Sequence, residues 1–129
     1  MSSLFLLFNH TLTGLQSDDA CKSLRVEKIM VAPVAIQDLW SQIPPDMDEL
    51  SVYLKPVCQW LQEKAECDDF LLVQGDFGAT FLLVEFALKN GLIPIYSTTE
   101  RTVVEKHLED GGVKLEHNFR HVCFRRYGR

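Results

Sequence analysis

Phe70-Leu-Leu-Val-Gln-Gly-Asp-Phe-Gly-Ala-Thr80 is the stretch whose reading decides the fold. Its first four residues are apolar without a break. The run is too short for an amphipathic helix and reads as a strand buried on both faces, as in a parallel sheet. Gln74-Gly75-Asp76 ends it, and from Phe77 an apolar pattern of helical spacing runs to Asn90-Gly91. The chain therefore passes from strand to helix through a tight turn with glycines at 75 and 78. Glycine lets backbone N–H groups approach a ligand closely, and a helix N-terminus adds partial positive charge. Such a turn suits a phosphate-bearing ligand. It also suits an ordinary strand-to-helix connection with Asp76 as N-cap, because a lone Gly-x-x-Gly is a weak motif.

Outward from this turn the pattern repeats. Toward the N-terminus, Leu4 to Phe8 is a second buried strand, ending in Asn9-His10-Thr11. Thr13 and Gln16 have capping-box spacing and open a helix over about 14–24. Glu27 to Ala32 is a short strand, and Pro33 suits the first turn of a helix carrying Ile36, Leu39, Trp40 and Ile43. Pro44-Pro45 ends that helix. Leu50, Leu54, Val57 and Leu61 then share one helical face from Glu49 to Glu66. Pro56 lies within it and should kink the helix or mark a restart, and the continuing pattern favours the kink. Trp60 on that helix fits the core or a dimer surface better than ligand stacking.

Toward the C-terminus, the helix over Phe77 to Lys89 is apolar nearly all round, so it should be covered on most sides, with Gly91 as its C′ residue. Leu92 to Tyr96 is the next strand, and Pro94 places it near an edge or makes it irregular. Ser97-Thr98-Thr99-Glu100-Arg101 is expected as its closing loop. Beyond it, alternation on both sides of Asp110-Gly111 predicts an antiparallel hairpin. His121 to Arg125 follows as a separate terminal strand with Val122 and Phe124 inward. The fold class is thus α/β: a Rossmann-like, mostly parallel sheet flanked by helices, with a C-terminal hairpin and final strand. A length of 129 residues fits one domain, with a strand–helix core over 1–101 and the hairpin region over 102–129.

Composition narrows the function. A net charge of -5 disfavours sequence-independent binding to long nucleic acid, which relies on many Lys and Arg contacts. The four cysteines include no Cys-x-x-Cys pair and no histidine at zinc-ligand spacing, so they read as reduced thiols of a cytoplasmic protein without structural metal. The apolar run at Leu4 to Phe8 is too short to span a membrane and lacks the features of a signal peptide. No Gly-x-Gly-x-x-Gly, Walker loop, nucleophile elbow or His-Glu-x-x-His motif is present, and no cofactor is implied.

Ligands of open parallel sheets bind beyond the C-terminal ends of the strands. Three compact polar segments are expected there: Asn9-His10-Thr11, Gln74 to Gly78, and Ser97 to Arg101. Each residue also has a plainer reading. His10 also fits a helix cap, the serine and threonines fit turn residues, and Arg101 fits half of a surface ion pair. His107, His117 and His121 read as surface histidines of the hairpin and final strand.

Leu-Phe-Leu-Leu-Phe-Asn-His-Thr-Leu-Thr (4–13), Gln-Gly-Asp-Phe-Gly-Ala-Thr (74–80), Ile-Pro-Ile-Tyr-Ser-Thr-Thr-Glu-Arg (93–101) and Phe-Arg-His-Val-Cys-Phe-Arg (119–125) together resemble the small stand-alone Csx-type proteins of type III CRISPR systems. The resemblance covers nearly the whole chain. It implies a Rossmann-like fold similar to CARF sensor domains and a homodimer. It also implies a ring nuclease that cuts cyclic tetra-adenylate to linear di-adenylate with a 2′,3′-cyclic phosphate, without metal. Under it His10, Asp76 and Arg101 are the catalytic candidates. Asn9, Thr11, Gln74, Gly75, Phe77, Gly78, Thr80, Ser97, Thr98 and Thr99 are the candidate ligand contacts. Two alternatives stay open: a cyclic oligoadenylate sponge without turnover, and a generic nucleotide-binding or flavodoxin-like interaction domain.

Overall fold

The computed structural model describes residues 2–129. Five strands form one sheet in the order β2-β1-β3-β4-β5. They are β1 (Ser2–Leu7), β2 (Val26–Val31), β3 (Phe70–Val73), β4 (Ile93–His107) and β5 (Val113–Arg126). β1 pairs in parallel with β2 and β3, β3 pairs in parallel with β4, and β4 and β5 are antiparallel. The four helices are α1 (Gly14–Asp19), α2 (Val34–Ser41), α3 (Lys55–Lys64) and α4 (Phe77–Lys89). A π-helical turn, Ala20–Leu24, extends α1.

The unbroken apolar runs are explained by two cores, one on each face of the sheet. Phe5, Leu7, Leu71 and Val73 pack with Trp40, Trp60, Leu61 and Leu83 of the helices α2, α3 and α4. Leu4, Leu6, Phe70, Leu72 and Ile95 pack with Ala20 and Phe124 on the α1 face. All four β3 residues are buried, as expected of a strand covered on both sides. The capping box of α1 is formed: Gln16 N–H donates to the Thr13 hydroxyl and Thr13 N–H to the Gln16 side chain.

Several expectations are corrected. The helix read from Glu49 to Glu66 begins only at Lys55, with Pro56 in its first turn. A proline there forfeits no hydrogen bond, because the first N–H groups of a helix have no intrahelical partner, so no kink is needed. Residues 97–101 are not a loop. β4 runs through them without interruption, and the expected terminal strand is the second half of β5. Pro94 sits in a strand paired on both sides. Ile93 N–H donates to Asp69 O on the β3 side, so position 94 faces β5, just where that ladder ends. The Phe77 helix is covered on one side only, since Phe77 and Phe81 are exposed while Ala79, Leu83 and Ala87 are buried.

The hairpin also departs from strict alternation. Ser97 pairs with Phe124 and Thr99 with His121, so Thr98 alone opposes Val122 and Cys123. This bulge turns β5 by one residue. As a result His121 and Phe124 face α1 together, and Val122, expected inward, is exposed. Gly111, with φ of +86°, closes the expected turn, where Leu108 N–H donates to Gly112 O.

Opposite the loops of interest, the buried Asp69 carboxylate accepts from Ser3 N–H at 2.9 Å and Glu66 N–H at 2.8 Å. Asp69→Ala strands both donors and is expected to lower stability by about 2 kcal/mol. Urea midpoints of the two proteins check this.

Candidate functional site

The strand order places a topological switch point between β1 and β3, where the connections from neighbouring strands leave in opposite directions. A cleft of about 790 Å³ opens at the C-terminal ends of these strands. β1 leads into Phe8, His10 and Thr11, and β3 delivers Gln74. β4 brings Ser97 and Thr99, and β5 brings Phe119, Arg120 and His121. The N-terminus of α1 closes the remaining side with Thr13, Leu15 and Gln16. An apolar cavity of about 350 Å³ lies alongside, lined by Leu6, Leu12, Ile29, Val31 and the Gln37 side chain. Phe8, His10 and Thr11 line both spaces.

One hydrogen-bonded chain crosses the floor of the cleft. The Asp19 carboxylate lies 2.7 Å from His121 Nε2, and His121 Nδ1 lies 2.5 Å from Ser97 Oγ. The imidazole is 3% exposed and packs against the Phe124 ring at 4.5 Å. Gln16 Nε2 donates to Ser97 Oγ at 3.3 Å, and Ser97 N–H donates to Gln74 Oε1 at 2.8 Å. Asp19 also accepts from the Ser23 hydroxyl in the π-helical turn.

The Ser23 hydroxyl, with His121 adding to it, holds the Asp19 carboxyl below its ordinary value of 3.8. A depressed carboxyl stabilises the fold fully above the unfolded-state value, and that share is lost as the pH falls through the lowered one. The stability advantage of wild type over Asp19→Asn should therefore be constant above about pH 5 and shrink below it. Denaturant titrations at stepped pH check this.

The sequence-named residues divide. His10, Thr11, Gln74, Ser97 and Thr99 share the cleft. Asn9 sits beside it, in a smaller hollow with Asp38 and Ser41. Asp76 caps α4, accepting from Ala79 N–H at 3.0 Å. A Cβ on Gly75 would stand 2.7 Å from Trp40 Nε1, so packing against the indole is what requires glycine there. Gly78 faces Leu50, Phe81 and Leu82, and Phe77 points to solvent. The Thr80 hydroxyl is buried without a partner away from the cleft. Thr98 turns to the other face of the hairpin and bonds the Cys123 backbone. Arg101 stands further along β4, against His117 Nδ1 at 3.1 Å and over the Phe119 ring. Arg120 is the arginine that lines the cleft.

Sequence reasoning missed Asp19, His121 and Arg120. The capping-box residue Gln16 was legible as a cap but not as a wall of the site. For His121 the only local signal was strand alternation, and the bulge reverses it.

A family model described as "Uncharacterized protein MJ1673 family" matches residues 2–125. The chain belongs to the MJ1673 family. Uncharacterized protein MJ1673 of Methanocaldococcus jannaschii is 46% identical over 127 residues, covering 98% of each chain. The MJ1673-family match thus takes in both strands of the hairpin up to Arg125, and with them every residue of the cleft. No solved structure gives a significant match. Among the described residues no group of three or more His, Cys, Asp or Glu is arranged to hold a metal ion. Among the described residues no helix is long and apolar enough to cross a membrane.

Proposed function

We propose that this protein is a ring nuclease, a phosphodiesterase that binds cyclic tetra-adenylate and cleaves it, without metal, to linear di-adenylate ending in a 2′,3′-cyclic phosphate. In this reading it is cytoplasmic, its fold is a CARF-like Rossmann variant, and it switches off type III CRISPR signalling. The observation that carries the reading is the junction of two cavities at His10, one lined mainly by apolar side chains and the other mainly by side chains that carry hydrogen-bonding groups. The first, about 350 Å³, suits a base, and the second, about 790 Å³, offers hydrogen-bonding side chains to ribose and phosphate. Alternation of apolar and charged parts is what a nucleotide presents. The resemblance of residues 4–13, 74–80 and 93–101 to the Csx-type proteins supplies the identity of the ring.

The chemistry asks little of the protein beyond placement. A ribose 2′-hydroxyl attacks its own 3′-phosphate in line, and the cleft fixes that geometry and meets the phosphate charge. Thr11, Gln74 and Thr99 offer hydrogen bonds to the sugar–phosphate, Arg120 offers charge, and His10 is the proton-transfer group at the mouth. A ring of four adenylates has a two-fold axis, so an isologous homodimer would present one cleft to each half. Exposed Phe77 and Phe81 on α4, and Val103, Leu115 and Phe119 on the hairpin, are apolar surfaces available for that contact.

The test is incubation of the purified protein with cyclic tetra-adenylate in EDTA, followed by chromatography of the products. Linear di-adenylate with a cyclic phosphate end is expected. An intact ring that stays bound would replace the enzyme with a sequestering module. An intact, unbound ring would overturn the reading.

A further inference from the structure

We propose that Ser97, His121 and Asp19 form a proton relay that takes up the proton of the attacking 2′-hydroxyl. This rests on the ring-nuclease reading of the cleft. Ser97 is then a catalytic residue, while His121 and Asp19 act through it.

The hydrogen-bond geometry fixes the direction of the relay. A carboxylate can only accept, so the contact of 2.7 Å between Asp19 and His121 places a hydrogen on Nε2. In the neutral imidazole Nδ1 is then an acceptor, and Ser97 Oγ, 2.5 Å away, must donate to it. Oγ already accepts one hydrogen from Gln16 Nε2. A second lone pair remains for a hydrogen arriving from the cleft. Ser97 is not arranged to attack a carbonyl or phosphorus itself. Its own N–H is committed to Gln74 Oε1, so the donor nearest the hydroxyl is not free to stabilise an oxyanion.

The step balances. The O2′–P bond forms as the 2′-O–H bond breaks. The ligand proton passes to Ser97 Oγ while the Ser97 proton passes to His121 Nδ1, and the Asp19 carboxylate faces the resulting imidazolium. The P–O5′ bond breaks with its electron pair on O5′, which takes a proton from the imidazolium form of His10 and leaves that ring neutral. Exchange with water returns the relay and His10 to their starting states. Burial of His121 keeps that charge out of bulk solvent and next to its one counter-ion.

The relay is tested on the full chain with three variants and one spectrum. Ser97→Ala and His121→Gln should each slow single-turnover cleavage of cyclic tetra-adenylate by about 100-fold. The double variant should be no slower than the worse single one, because the residues act as a unit. Ser97→Thr, which keeps the hydroxyl, should restore most of the rate. Affinity for the ring built from 2′-deoxyadenylates, which lacks the nucleophile, should stay within about threefold of wild type, whereas a merely structural role would weaken rate and affinity together. Single variants within threefold of wild type, or losses that multiply in the double variant, overturn the relay. Independently of ligand and of folding of the variants, 15N spectra of wild-type His121 should show Nε2 protonated and Nδ1 bare. A proton on Nδ1 overturns the relay. A wild type that leaves the ring whole overturns the proposed function and the relay with it, whereas slowed variants beside an active wild type leave only the relay in play.

Discussion

Trp40→Ala is expected to cost about 3–5 kcal/mol, a large part of the stability of a domain this size. The indole is buried at 2% exposure in the core shared by α2, α3 and α4. Its Nε1–H donates to Gln74 O at 3.0 Å, and its edge lies where a side chain on Gly75 would begin. Alanine would leave a cavity and strand the carbonyl at the end of β3. Gly75→Ala attacks the same contact from the other side and should also destabilise, because a flat, buried indole cannot yield by rotating a flexible end. Trp40→Phe keeps most of the packing and loses the hydrogen bond, so it should fall between wild type and Trp40→Ala. Guanidinium midpoints order the three variants. A loss below about 1 kcal/mol for Trp40→Ala would mean that other contacts hold this turn. The effect should also reach the cleft, because Gln74 positions Ser97 through its side chain.

His10→Ala should slow single-turnover cleavage of cyclic tetra-adenylate by about 100-fold or more. His10 is exposed at the mouth of the cleft and lines the apolar cavity as well, so an imidazole there can meet both the base and the departing oxygen. Of the two arginines, the one the resemblance named should matter less. Arg120→Ala should weaken ring binding more than Arg101→Ala, because Arg120 lines the cleft while Arg101 is engaged with His117 and Phe119. Unchanged cleavage by His10→Ala would remove it from the chemistry, and the reverse arginine order would move the phosphates outward along the hairpin.

The parallel core was legible because its signals are local. Leu4 to Phe8 and Phe70 to Val73 are unbroken apolar runs, and Thr13, Asp76 and Gly91 end or begin helices by short-range hydrogen bonding and backbone conformation. Residues 97–101 carried the opposite signal. Their polarity reads as a loop, yet a strand exposed along much of its length needs no apolar residues to stay paired with β5. Pro56 was ambiguous between kink and helix start, and only the packing of Leu54 and Val57 decides. For the site, the strand ends supplied His10, Thr11, Gln74, Ser97 and Thr99. Asp19 and His121 were out of reach because nothing in either neighbourhood refers to the other.

That separation sets a schedule for the protein as it is made. Asp19 and His121 are 102 residues apart, so a ribosome adding about 5–20 residues per second places roughly 5–20 s between them. During that interval the nascent chain already carries the first wall of the cleft and, later, Gln74 and Ser97. It lacks the histidine that joins its earliest helix to its last strand. Unfinished or C-terminally truncated copies would therefore lack the Asp19–His121–Ser97 chain, which would be completed in one late step, with the return of β5 along β4.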